Sequence, residues 1–139
     1  MNFKLILLLS LFGLVIGITN TFFLQAVTIL PLFWILAFTV SPYIIAKKLN
    51  SDYFNNAMLL GALYWVWIGG LNLIFFKYYN ASNYEAMEYS GSVMHENAPH
   101  FFMVIFDMFY AFASSMGIGL LTLLATKLVK KTKANQHEF

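Results

Sequence analysis

Residues 5–46 read LILLLSLFGLVIGITNTFFLQAVTILPLFWILAFTVSPYIIA, 42 residues without one Asp, Glu, Lys, Arg or His. A helix crossing roughly 30 Å of hydrocarbon needs about 20 mostly apolar residues. The stretch is too long for one crossing and suits two joined by a short turn. Its least apolar part lies between Thr19 and Thr28, where Asn20, Thr21 and Gln25 fall, and Pro31 is placed to open the second helix. The pattern therefore predicts a first span over residues 5–23 and a second over 30–46, with Pro42 loosening the last turns.

The rest of the chain repeats this theme. A polar break, Lys47-Lys48-Leu49-Asn50-Ser51-Asp52, precedes a third apolar run predicted to span 55–76. A hydrophilic loop over 77–100 follows. Pro99 then marks the approach to a fourth span over 101–124, which ends among Lys127, Lys130, Lys131 and Lys133. The expected fold class is all-α, an integral membrane four-helix bundle forming a single transmembrane domain over 1–139.

Composition agrees. The 139 residues are 60% hydrophobic and 10% charged, against about 25% charged in soluble domains, so a water-exposed surface could hardly be covered. There is no Cys, which removes disulfides and thiolate metal sites. There is no Arg, and the net charge is only +2, which argues against nucleic acid as a partner. The lipid bilayer is the expected partner, with a homo-oligomer or another membrane protein beside it.

With four spans, seven of the eight Lys fall on the side of the termini and the 47–54 break. Lys77 alone falls on the other, with Glu85, Glu88 and Glu96. The positive-inside rule then puts both termini in the cytoplasm, for a multi-pass protein of a bacterial inner membrane. The N-terminal 14-residue apolar run also has the form of a signal peptide. Leu24-Gln25-Ala26 supplies only one of the two small residues that cleavage wants, so retention as a span is expected.

Two internal echoes stand out. Gly17, Asn20 and Phe23 match Gly69, Asn72 and Phe75 at a shift of 52, and Pro31-Leu32-Phe33-Trp34 matches Pro99-His100-Phe101-Phe102 at 68. Together they suggest two hairpins related by a pseudo-two-fold axis along the membrane normal. Small residues form seams in three spans: Ser10, Gly13, Gly17 in the first; Gly61 and Gly69 in the third; Ala111, Ser115, Gly119 in the fourth. Such faces let helix backbones approach closely, within one chain or between copies.

One ionisable group lies clearly inside a span. Asp107 falls on a stripe with His100, Tyr110 and Ser114 at spacings of 7, 3 and 4, at a depth similar to Asn20 and Asn72. An acid there is costly and normally faces a partner or a wet cavity. The candidate site is a polar cavity of Asp107, Asn20, Asn72, Tyr110 and His100, with Asp107 carrying protons or a cation. The competing reading has Asp107 clamping the helices.

In the outer loop, Glu85, Glu88, His95, Glu96 and His100 fall within 16 residues, a group with metal-ligating chemistry but no diagnostic spacing. The two His are five apart with Pro99 between them, so no zinc-protease motif is present. Asn80-Ala81-Ser82 is a glycosylation sequon, relevant only in a secretory pathway.

No His or Lys lies mid-span and no Gly-rich phosphate loop is present, so no cofactor, metal or catalytic residue is assigned. Four spans in 139 residues resemble the small multidrug-resistance exporters in size. The first span carries no acid where that family has its essential Glu, so no function transfers. Three functions follow in order: a non-enzymatic bundle acting as an oligomer or accessory subunit, a small transporter or proton-conducting subunit using Asp107, and a metal-dependent enzyme using the outer loop.

Overall fold

The computed structural model describes residues 2–23, 26–82 and 99–136. They form five helices: α1 (Phe3–Phe22), α2 (Ala26–Lys48), α3 (Tyr53–Ile74), the short α4 (Phe76–Ser82) and α5 (Pro99–Gln136). Four of these, α1, α2, α3 and α5, are long and apolar enough to cross a membrane.

Local chemistry explains the ends. The Asn2 side chain accepts from the Leu5 amide and caps α1. Asp52 opens α3 with φ 53°, a left-handed conformation that Asp tolerates better than most residues. The Asp52 carbonyl accepts from both the amide and the side-chain nitrogen of Asn56.

Three boundaries differ from the sequence expectation, the first being that residues 77–82, expected in the outer loop, lie in α4. The second span begins at Ala26, so Pro31 lies inside the helix rather than opening it, and Pro42 lies inside as well. Membrane helices tolerate internal proline because neighbouring groups take up the freed carbonyls. The fourth helix continues past residue 124 to Gln136, through a Lys-rich stretch with no Gly or Pro to stop it.

α3 packs on α1 and α5, and α2 packs on α5 and α1, so the helices form a ring in the order α1–α3–α5–α2. α1 and α3 run parallel: the Asn2 amide donates to Asn56 at one end, and Thr21 donates to Asn72 at the other. α3 and α5 run antiparallel, with Phe54 against Gly119, Gly61 against Ser115 and Gly69 against Asp107. The start of α1, the 49–52 turn and the C-terminal half of α5 therefore share one end of the bundle.

This ring corrects the symmetry expectation. A two-fold axis relating the α1–α2 and α3–α5 hairpins would put α1 and α3 at opposite corners of the ring. They are neighbours instead. The shift of 52 is the register of two parallel helices lying side by side, which sets Gly17 against Trp67 and Ile68, and Asn20 against Asn72. The shift of 68 fails locally too, since Pro31 is internal to α2 whereas Pro99 opens α5.

The core is built from Ile6, Leu9, Ile16, Ala37, Ile45, Leu60, Tyr64 and Ile118. Large apolar residues such as Leu8, Leu32, Val66 and Phe109 remain on the outside. Helices apolar all round are the mark of a lipid-embedded bundle. α2 also buries a small pair one turn apart, Ala37 and Ser41, that the sequence pattern had not singled out.

Candidate functional site

The Asp107 region is built by the α3–α5 seam. On α5 the stripe Asp107, Tyr110 and Ser114 faces α3. Ser114 Oγ accepts a 2.6 Å hydrogen bond from the Trp65 indole, and the Tyr110 ring stacks on Trp65 with centroids 5.5 Å apart. Trp65 stacks in turn on Trp34 of α2 at 5.7 Å, so one aromatic column joins three helices. Trp67 points the other way and donates to Ser10 of α1 at 3.1 Å. The three Trp thus serve inter-helix packing.

One turn beyond, Asp107 rests on Gly69. A Cβ on Gly69 would lie 2.8 Å from Asp107 Oδ2, so a side chain there would push the carboxyl aside. Oδ2 is buried and has no hydrogen-bond partner among the described residues. Tyr79 of α4 is a titratable group from another element that feels Asp107 electrostatically. Its phenol is pushed above its ordinary value, first by burial and then by electrostatic repulsion from Asp107.

The two Asn form a second polar centre, between α1 and α3. Asn72, 2% exposed, accepts from Thr21 Oγ1 at 2.9 Å and from Asn20 Nδ2 at 3.4 Å. The single Thr21 proton is shared with the Gly17 carbonyl, 2.7 Å away. The structure thus brings Asn20 and Asn72 together, and sets Asp107 and Tyr110 along the neighbouring seam. The His100 side chain lies outside the described residues, as do Glu85, Glu88, His95, Glu96 and the side chains of Asn80 and Ser82 in the sequon. Among the described residues, no group of three His, Cys, Asp or Glu side chains is placed to hold a metal ion.

Sequence reasoning identified the seam residues but missed three partners: Thr21, Tyr79 and the Ser41–Tyr64 pair, whose hydroxyls meet at 2.7 Å in the core. A Ser or Thr in an apolar helix gives no sign of whether it bonds its own backbone or reaches across.

The glycine seams resolve as internal packing. A Cβ on Gly13 would lie 2.6 Å from Tyr64 Cα, one on Gly61 2.5 Å from Ser115 Cα, and one on Gly119 2.7 Å from the Phe54 ring. Only Gly70, among the described glycines, has nothing within 4 Å of that position.

Fold and site define a small all-α, multi-pass membrane protein whose polar groups join its own helices. Compared with known protein families, curated proteins and solved structures, the chain matches none.

Proposed function

We propose that this protein is a non-enzymatic membrane bundle that acts as an accessory subunit or as an oligomer. The observation that carries the reading is the use of the glycine notches and cross-helix hydrogen bonds inside the chain, around α3. A bundle closed in this way meets its partners through its outer surface. The outer half of α5 offers one such surface, with Phe106, Met108, Phe109 and Phe112 all exposed.

The same reading places the protein in a bacterial cytoplasmic membrane with both termini inside. Lys4, Lys47, Lys48 and Lys127 at one end of the bundle support this orientation, and helical spans suit the inner rather than the outer membrane.

A second reading rests on Asp107, whose buried Oδ2 lacks a partner. In it, the carboxyl relays protons or a cation near the outer end of the bundle. Proton flux into proteoliposomes of the purified protein separates the two. The first reading predicts flux no greater than in empty vesicles. Flux that disappears in a folded Asp107→Asn variant would establish the second. Native mass spectrometry from nanodiscs then tests the first directly: it predicts an oligomer or a co-purified subunit, and a solitary monomer in every preparation would count against it.

A further inference from the structure

The basic end of the bundle holds more than orientation signals. α2 and α5 run side by side, and Phe38 of α2 against Gly117 of α5 fixes their register. Counting along both helices from that contact, Lys47 and Lys48 come level with the turn of α5 that carries Lys127. All three side chains are exposed. Asp52 is the one acid among the described residues at this end.

Below the lysines, α2 presents one exposed stripe: Leu32, Leu36, Thr39 and Tyr43, at spacings of 4, 3 and 4, with Lys47 four residues further on. Lys47 Nζ lies over the Tyr43 ring, 5.8 Å from its centroid, so the cation is held at the head of the stripe. α5 continues past Lys127 to Gln136, nine more residues or about 14 Å of rise, with Lys130, Lys131 and Lys133 on that extension. A largely apolar stripe about 16 Å long, roughly one leaflet deep, ending in a cation and flanked by others, matches a molecule with an acyl chain and an anionic head.

We propose that the lysine end of α2, with Lys127 of α5, is a binding site for an anionic glycerophospholipid. Its phosphate lies against Lys47, Lys48 and Lys127, and an acyl chain follows the Leu32–Leu36–Tyr43 stripe. Lysines close to a membrane surface each favour anionic lipid by about fivefold, and basic clusters beside helix ends are the recurring form of such sites. Charge complementarity selects the head group, and the stripe selects a lipid over a free anion.

The test uses the purified full chain, exchanged into mixed micelles with equal amounts of phosphatidylglycerol and phosphatidylcholine, and native mass spectrometry to count retained lipids. Preferential retention of phosphatidylglycerol is expected, falling about fivefold for each of Lys47→Gln, Lys48→Gln and Lys127→Gln. Equal retention of the two lipids, or a preference unchanged in all three variants, would overturn the proposal. Should a variant fail to fold, the native chain still decides. Its preference should shrink as salt is raised, because exposed charges are screened, and a preference indifferent to salt would contradict the site. Inorganic phosphate is the remaining probe: displacement of the bound lipid by it at millimolar levels would assign the lysines to a free anion instead.

Discussion

α3 and α2 are both apolar helices of similar length, yet the bundle holds them in different ways. α3 takes part in every cross-helix side-chain hydrogen bond given above: Asn56 to α1, Asn72 to α1, Tyr64 to α2, Trp65 to α5 and Trp67 to α1. It also meets α1 and α5 at five glycine notches. α2 reaches its neighbours through the Ser41 hydroxyl, the Trp34 ring and the Phe38–Gly117 contact, and it contains two prolines. Lipid is as apolar as a leucine-lined core, so burial alone does not drive these helices together; close packing and hydrogen bonds must. The contrast teaches that α3 is the stem of the fold, and that α2 is applied to it.

The most severe way to break this contrast is at a notch. Gly61→Leu drives side-chain atoms into the Ser115 backbone, and unfolding in mixed detergent micelles should report a loss of about 3 kcal/mol. Gly70→Ala, on the same helix but facing open space, should change stability by less than about 0.5 kcal/mol. Equal effects at the two positions would show that the α3–α5 seam is looser than described.

A smaller loss is expected where α1 meets α3. Asn72→Ala removes the acceptor for Thr21 and Asn20 and should lower stability by about 1 kcal/mol in the same assay. Ser41→Ala on α2 should cost about 0.6 kcal/mol, the average for such bonds in membrane proteins. A larger loss from Ser41→Ala than from Asn72→Ala would reverse the ranking of the two helices.

The finest effect is a titration. The Tyr79 phenol is held above its ordinary value, so its stabilising contribution is complete below the unfolded value near 10. That contribution is lost as pH rises through the higher folded value. Absorbance titration of the native chain minus a Tyr79→Phe variant should isolate this group. Asp107→Asn should then bring its titration to lower pH, because that opposing charge is gone.

The four long apolar helices and the glycine seams were legible, since length, apolarity and residue size are written directly in the chain. The common depth of Asn20 and Asn72 was legible too, because the depth follows from counting. The ring order was not. With apolar residues all round each helix there is no polar face to indicate which side turns inward, and α1 and α3 gave the same echo whether adjacent or related by symmetry. Pro31 misled for a related reason: proline opens helices in water, but within a membrane it is equally at home inside one. The electrostatic link from Asp107 to Tyr79 runs to α4, a seven-residue helix that no hydrophobic period announces.

The central claim is that α3 lies between α1 and α5. A chain without Cys allows it to be tested cleanly by paired cysteines oxidised in native membranes. Asn20→Cys with Asn72→Cys, and Trp65→Cys with Ser114→Cys, should each form an intramolecular disulfide. Val15→Cys with Phe109→Cys, on the outward faces of α1 and α5, should not. Efficient bridging of that last pair within one chain, with failure of the first two, would place α1 beside α5 and remove α3 from the centre of the fold.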